Sequence, residues 1–274
     1  MTVTAMSAAR GGARGFLGRL DASTFVSATL FVAFFGGWEL AVREGVMPAF
    51  VLPSPSAVLV QVLADLTSAN TLYNCAYTLT EILVGFFGAL VLGVGLGALI
   101  ALSPMVDKVL SPYIVALQTI PKVAVAPILV IWFGFGIESK IVIVALIDFF
   151  PILVNAVAGF RSTDPRQILL MKSLEASDWQ IFLKVRLPNA TPFLMAGVYI
   201  SMIFSVIGAV VGEFIGSAQG LGSLIVQRQA GMDVVGVFSV LVILTLIGMC
   251  LNFAARFVGK RLAFWSNTES SSGI

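Results

Sequence analysis

Two charged side chains lie within long apolar stretches of this sequence, where an ionised group is costly. Lys122 belongs to an apolar run that also contains Gln118 and Thr119, and Asp148 belongs to the next run, which also contains Asn155. A charge at membrane depth usually pairs with another charge or lines a polar path. Counted along two membrane helices, the two charges differ in depth by roughly 5 Å, which a lysine stem can span. The sequence leaves two interpretations open: a pair that only neutralises itself, or residues that line a translocation route.

The residue types that catalysis and metal binding need are scarce in this chain. It has no histidine, and its two cysteines, Cys75 and Cys250, fit no metal-binding spacing. The phosphate-binding pattern Gly-x-x-x-x-Gly-Lys-Ser/Thr does not occur, so ATP is not bound through that motif. We therefore predict no catalytic residue, no metal site and no cofactor bound by this chain.

The composition predicts that membrane helices position these residues. The 274 residues are 58% hydrophobic and 11% charged, with a mean hydropathy of +1.01, whereas soluble domains carry about 25% charged residues. Because a span needs roughly 20 mostly apolar residues, we predict an all-α membrane protein with six transmembrane helices. The predicted spans are 23–42, 79–102, 111–133, 140–160, 191–215 and 235–258. They form one domain over residues 23–260, between tails at 1–22 and 261–274.

Proline, glycine and glutamate predict further features of these spans. Pro121 and Pro127 predict that the third span is kinked or broken. Glu39, Glu81 and Glu213 lie near span ends, where we expect contact with water or headgroups. Glycines at a spacing of four predict close helix approach within the chain, ahead of a contact between subunits. These glycines are Gly93, Gly97, Gly208, Gly212, Gly216 and Gly220.

The distribution of lysine and arginine predicts the orientation of the spans. Twelve of the 16 basic residues fall in the N-terminal tail, in the loop after the second span, in the loop 161–190 and at the C-terminal end of the chain, from Arg256 onward. Only Arg43, Lys140 and Arg228 fall on the other side. Since basic residues favour the cytoplasmic side, we predict that both termini and the 161–190 segment are cytoplasmic.

The 161–190 segment, RSTDPRQILLMKSLEASDWQIFLKVRLPNA, is a polar island between apolar runs. Asp164, followed by Pro165 and Gln167, is typical of a helix start, and Ser177 with Gln180 repeats the signal. We predict two short helices, 165–175 and 178–186, closed by two prolines, with three apolar side chains buried on one face of the second helix. The prolines are Pro188 and Pro192, and the buried residues are Trp179, Phe182 and Val185. Capped helices with aromatic residues indicate a docking surface.

This segment resembles the EAA loop of membrane subunits of bacterial ABC importers. Val185, Leu187 and Pro188 stand where that pattern has Ile, Leu and Pro. The name-giving half differs, because Leu169-Leu170-Met171 replaces Glu-Ala-Ala and Glu175 stands at the position of the glycine. If the turn there is left-handed, glutamate costs on the order of 1 kcal/mol relative to glycine.

A longer stretch of the chain resembles the nitrate/sulfonate/taurine branch of these permeases. The similar pieces occur in family order from residue 52 to residue 225. They are LPSPSAV (52–58), IPKVAVAPILVIWFGFGIESK (120–140), FFPILVNAVAG (149–159), ASDWQIF (176–182), RLPNATP (186–192) and GEFIGSAQGLGSLI (212–225).

The resemblance implies a type I importer permease, similar to the methionine permease, in the bacterial inner membrane. It implies an ATPase dimer that carries ATP and Mg, a second permease copy, an extracytoplasmic solute-binding protein and surrounding lipid, but no nucleic acid. It assigns coupling to the ATPase to residues of the 161–190 segment. Those residues are Asp164, Leu170, Met171, Leu174, Glu175, Ala176, Ser177, Trp179, Leu187 and Pro188.

The sequence does not identify a solute. Relatives of this branch carry nitrate, sulfonates, taurine, aromatic acids, pyrimidine vitamin precursors and flavins, and an ionised Asp148 on the route would disfavour a bare anion. We therefore expect a small organic solute, neutral or amine-bearing, ahead of nitrate. A self-sufficient secondary transporter is the alternative, although no inverted repeat is evident.

Overall fold

A computed structural model describes residues 22–48 and 50–265, and every regular element in those ranges is helical. The helices are α1 (Ala22–Arg43), α2 (Pro55–Asp65), α3 (Ala69–Leu102), α4 (Pro104–Gln118), α5 (Lys122–Phe133), α6 (Ile137–Arg161), α7 (Pro165–Ser173), α8 (Asp178–Ile181), α9 (Leu187–Gly216), α10 (Leu221–Ala230) and α11 (Val234–Leu262). The predicted tails, 1–22 and 261–274, lie mostly outside the described residues, but Ala22 begins α1 and α11 extends to Leu262. The chain divides into two units, one ending at Val60 and one beginning at Gln61.

Five of the described helices are long and apolar enough to cross a membrane, and a bent helix pair makes a sixth candidate when its two helices are counted as one span. The pair is α4 and α5, which meet at an angle of 95°. Pro121 has no N–H to donate and disfavours helical geometry at Ile120, so the helix breaks there. The predicted break is confirmed, but the continuous span 111–133 is wrong: the pair begins at Pro104 and holds two separate helices.

Helices α3, α6 and α9 pack closely because small residues line their contacts. A Cβ on Gly97 of α3 would lie 2.6 Å from the Cβ of Ala156 on α6. A Cβ on Gly208 of α9 would lie 3.2 Å from the Cα of Val144 on α6. The glycine spacing therefore serves packing within the chain, as the sequence predicted.

An ion pair joins the short helices α2 and α10. The Arg228 guanidinium donates to both carboxylate oxygens of Asp65, at 2.7 and 2.6 Å, and Ser239 of α11 donates to the same carboxylate at 2.5 Å. Burial raises the pKa of Asp65, but hydrogen bonds from Arg228, Ser239 and Gln61 outweigh it and hold that pKa below its ordinary value. The pairing anchors α2 and α10 against the first turns of α11.

Candidate functional site: a central pocket and the 161–190 segment

A cavity of about 470 Å³ lies beside the middles of α6 and α9. Its walls are mostly apolar, and three of the five predicted pathway residues line it: Gln118, Lys122 and Asn155. The break between α4 and α5 places Gln118 and Lys122 at its edge, at the end of one helix and the start of the next. The remaining lining residues are Val123, Ile147, Phe150, Pro151, Val154, Ile200, Phe204 and Ile207.

Lys122 does not pair with Asp148, so the first of the two interpretations, a self-neutralising pair, is wrong. The Lys122 ammonium donates to the Gln118 carbonyl at 3.3 Å and lies 4.8 Å from the ring centre of Phe150. The residues of α6 that face the cavity, such as Ile147, Phe150 and Pro151, recur at helical spacing, and Asp148 lies off that stripe.

Asp148 is fully buried and faces α9 instead of the cavity. Its carboxylate accepts a 2.5 Å hydrogen bond from the Ser205 hydroxyl, and its backbone carbonyl accepts one from Ser201 at 3.2 Å. Thr119 is also absent from the cavity lining; it is exposed, and its hydroxyl donates to the carbonyl of Ala116 at 2.7 Å. Two of the five pathway residues therefore contact the protein's own helices rather than the cavity.

The first helix of the 161–190 segment begins and ends with local capping contacts. The Asp164 side chain accepts from the backbone N–H of Arg166 at 2.8 Å, so the predicted N-cap is confirmed. Gln167 does not complete a capping box. Its side-chain oxygen accepts from Asn189 instead, at 2.9 Å, which ties α7 to the first turn of α9.

The turn after α7 is left-handed at Glu175, whose φ is +58°. The Ala176 N–H donates to the Met171 carbonyl and the Glu175 N–H to the Lys172 carbonyl, both at 3.0 Å. This pair of hydrogen bonds is a Schellman motif, in which glycine usually occupies the left-handed position. The structure thus confirms the turn that the resemblance implied and places a strained glutamate in it.

The second predicted helix is not separate. Ser177 and Gln180 form a capping box at 2.9 and 3.3 Å, as predicted, but α8 continues through a π-helical turn, Phe182–Arg186, into α9. In the π turn the Leu187 N–H donates to the Phe182 carbonyl. Pro188 lies in the first turn of α9, where a missing N–H is tolerated, so it does not end the helix. One helical path therefore runs from Asp178 to Gly216.

The aromatic residues of this segment are arranged differently from the prediction. Trp179 is 66% exposed and stacks on Phe182, with ring centres 5.6 Å apart. Phe182 in turn contacts Phe160 of α6 at 5.5 Å, and the buried anchor is Ile181, at 3% exposure. The sequence pattern missed this because burial here depends on where α6 lies.

The 161–190 segment exposes several large apolar side chains together. Leu170 and Leu174 are 61% and 68% exposed, and Leu169 and Trp179 are similarly exposed. Met171, Val185 and Pro188 line a second cavity, of about 540 Å³, beside them. Ala176 and Leu187 are half-buried, and Ser177 is exposed. Exposed apolar groups outside a membrane span usually mark a contact with another protein.

A further cluster of polar residues, which we call the clasp, lies at the C-terminal end of α9, opposite the 161–190 segment, and was not predicted. Its residues are Asn74, Thr78, Lys140, Glu213 and the turn 216–222. The Glu213 carboxylate accepts from the Thr78 hydroxyl at 2.6 Å and from the Gly222 N–H. Thr78 also accepts from the Leu221 N–H at 2.8 Å, and Asn74 accepts from the Gly220 N–H at 2.7 Å. The side chains of α3 and α9 thus hold the turn between α9 and α10.

Lys140 closes the clasp from α6. Its ammonium donates to the carbonyls of Phe135 and Gly216, at 2.7 and 3.1 Å, and the residue is fully buried. Glu81 and Glu213 are buried as well, at 0% and 1% exposure, so the expectation that they contact water or headgroups is wrong. Gly220 has a φ of +101°, and a Cβ there would meet the Glu213 carboxylate. Only glycine suits that position.

Comparison with known protein families identifies what this arrangement belongs to. Residues 89–264 match the family described as "Binding-protein-dependent transport system inner membrane component". The chain belongs to this family of transport permeases. The match covers α5, α6, α9 and both the central pocket and the 161–190 segment. This permease is therefore a multi-pass membrane transport subunit, and the family decides against a self-sufficient secondary transporter.

Individual relatives place the permease in the nitrate/sulfonate/taurine-type branch. It is 36% identical to the formylaminopyrimidine transport permease protein of Halalkalibacterium halodurans, over 80% of this chain and 86% of the relative. It is 37% identical to the riboflavin transport system permease protein of Chloroflexus aurantiacus, over 83% and 85%. It is 30% identical to the taurine transport system permease protein of Escherichia coli, over 88% and 90%.

A solved structure confirms the fold. The permease superposes on a chain of the MetNI methionine ABC transporter in an inward-facing conformation with a TM-score of 0.61. The superposition covers 72% of this chain and 99% of the other, at 21% identity. The predicted type I importer architecture is thus confirmed. The family match and the relatives, not this superposition, show that the chain is the permease subunit of an ABC importer.

Proposed function

We propose that this permease operates with a partner ATPase dimer, a second permease copy and an extracytoplasmic binding protein, and that it imports a small organic nutrient. ATP and Mg are held by the partner ATPase in this assembly. The observation that supports the proposal most directly is the exposed apolar surface of the 161–190 segment, built on capped helices. Such a surface favours a protein partner, because the exposure of Leu170, Leu174 and Trp179 to water costs free energy that a partner would recover by covering them.

The continuity of α8 and α9 supports a mechanical role for this segment. A rigid path runs from Ser177, at the capping box, to Ile200, Phe204 and Ile207, which line the central pocket. Displacement of α8 by a closing ATPase would therefore move the wall of that pocket that α9 forms. The π turn lies between the two regions, and such turns are often found at functional sites.

The solute that we propose is a small heteroaromatic nutrient, of the kind named for the pyrimidine and riboflavin relatives. Both are more similar to this chain than the taurine permease is. The expectation that Asp148 would disfavour an anion has lost its basis, because Asp148 faces Ser205 and not the pocket. Nitrate remains a poor fit to a cavity of about 470 Å³ with mostly apolar walls.

Ala176→Asp tests the docking role. A carboxylate placed in a tight contact costs several kcal/mol of desolvation, so the ATPase should no longer co-purify with the permease. Membrane insertion and permease melting temperature should stay unchanged, because Ala176 is only half-buried. Ala230→Asp, at the exposed end of α10, is the matched control and should retain the ATPase. An Ala176→Asp complex that keeps its ATPase and transports normally would rule out this segment as the docking site.

The orientation is also part of the proposal, with both termini and the 161–190 segment in the cytoplasm. A variant with Cys75 and Cys250 replaced by alanine provides a background without thiols. In intact cells, an impermeant thiol reagent should label Thr67→Cys, in the turn before α3, and should not label Ser177→Cys. Labelling of Ser177→Cys from outside would contradict the proposed orientation.

A further inference from the structure

The central pocket contains a cation that the protein does not neutralise. Lys122 is half-buried and forms no ion pair within the part of the chain that the structure describes, although an unpaired ammonium in an apolar region is costly. The Lys122 ammonium donates one of its three hydrogens to the backbone carbonyl of Gln118, and the Phe150 ring lies beneath the charge. The ammonium therefore keeps donor capacity on the cavity side.

Two amide groups accompany the cation. The side chain of Gln118 forms no hydrogen bond to other described residues, whereas the Asn155 side chain donates to the Pro151 carbonyl at 2.8 Å. The Asn155 amide nitrogen thus donates within its own helix, and the amide oxygen remains available as an acceptor. Gln118 supplies both a donor and an acceptor. These groups lie on the pocket lining together with Lys122.

The rest of the pocket is apolar and includes the rings of Phe150 and Phe204. Small-molecule sites commonly have this build, with apolar walls and few polar groups that fix orientation, in a volume of about 300–1,000 Å³. Lipid chains would leave the Lys122 ammonium without an acceptor, and a small inorganic anion would leave the apolar walls uncovered. A flat ring with acceptor atoms at its edge satisfies both parts.

We infer that this pocket is the solute site of the permease in mid-membrane, and that Lys122 selects planar ring solutes with a neutral acceptor or anionic group and excludes cations. The inference rests on the proposed function and names the substrate class of the same pathway. Lys122 donates to the acceptor of the solute, Gln118 contacts its edge, and the two phenylalanines contact its faces. A cationic ring is excluded by repulsion from the ammonium and because Lys122 has no acceptor to offer.

Three matched pyrimidines test this selection: formylaminopyrimidine, the same compound without the formyl group and a pyrimidine carboxylate. The free primary amine of the second compound is protonated near neutral pH, so the three probes are neutral, cationic and anionic. Binding is measured by saturation-transfer NMR on the permease–ATPase complex in lipid nanodiscs, without a binding protein. The neutral and anionic probes should bind at least about tenfold more tightly than the cation, the size of one hydrogen bond to a charged group.

Lys122→Met removes the charge but keeps the stem length, and it should abolish the difference among the probes. Lys122→Arg should preserve it, and the control Lys108→Met, at an exposed position of α4, should behave as wild type. Thermal melting of each variant identifies any that fail to fold. Equal binding of the three probes to the wild type, no binding at all, or unchanged selection in Lys122→Met would each overturn the inference. The proposed function would survive these results if the ATPase still co-purified, and it would fail if the ATPase did not.

Discussion

The clasp and the 161–190 segment lie at opposite ends of α9 and differ in the burial of their side chains. In the clasp, Lys140, Glu213 and Thr78 are fully or almost fully buried, and each contacts another element of the same chain. In the 161–190 segment, Leu174 and Trp179 are largely exposed, and the hydrogen bonds are mostly local caps. The clasp residues are bonded within the chain, whereas the 161–190 segment leaves apolar surface exposed.

The difference shows how membrane charges in this protein should be interpreted. A charge whose bonding capacity is used by neighbouring carbonyls, as in Lys140, holds the fold together. A charge with capacity left over beside a cavity, as in Lys122, is available to a ligand. Hydropathy alone treats both lysines as equally costly interruptions of an apolar run.

Lys140→Met tests the structural end of this comparison and should have the largest effect. Two carbonyls lose their donor, and Glu213 and Glu81 lose the nearby positive charge, so we expect a loss of about 3 kcal/mol of stability. Thermal unfolding of the detergent-solubilised permease measures this, with Lys108→Met as the exposed control. Lys140→Met combined with Glu81→Gln should recover part of the loss. A single variant that melts as wild type does would show that the clasp is dispensable.

Trp179→Ala tests the open end and should have a smaller effect on the permease alone. Its ring is mostly exposed, so only the stacking on Phe182 is lost, a cost of at most about 1 kcal/mol. Association with the ATPase should weaken instead. Ile181→Ala, two residues away and buried, is the matched comparison and should cost about 2–4 kcal/mol of stability. The comparison fails if Trp179→Ala destabilises the permease as much as Ile181→Ala does.

Glu175→Gly should have the smallest effect, and in the stabilising direction. Glycine relieves the left-handed backbone at this position, with an expected gain of about 0.5–1 kcal/mol. Ser173→Gly, two residues earlier at the last residue of α7, should instead lose about 0.5 kcal/mol. Thermal melting of both variants decides the matter, and equal shifts would mean that the turn carries no strain.

Local features were predictable from the sequence to a useful degree. The caps at Asp164 and Ser177 and the left-handed turn at Glu175 depend on residues within a few positions of each other. The helix break was predicted from Pro121 and Pro127; Pro121 lies at the break, whereas Pro127 lies inside α5. The predicted burial of Trp179 was wrong, and the sequence could not decide whether Lys122 pairs with Asp148. Both outcomes depend on which face of another helix lies opposite.

By itself, the sequence determined that this is a polytopic helical membrane protein with a capped polar segment and a charge within its apolar core. Apolar length, basic-residue distribution and capping patterns carry that information along the chain. The tertiary structure decided the partners of the charges. It turned Asp148 toward Ser205, buried Lys140 and Glu213 in the clasp, and left Lys122 beside a cavity. Those outcomes depend on how α3, α6 and α9 meet in space, and a one-dimensional pattern records only which residues can pair, not which helix faces come together.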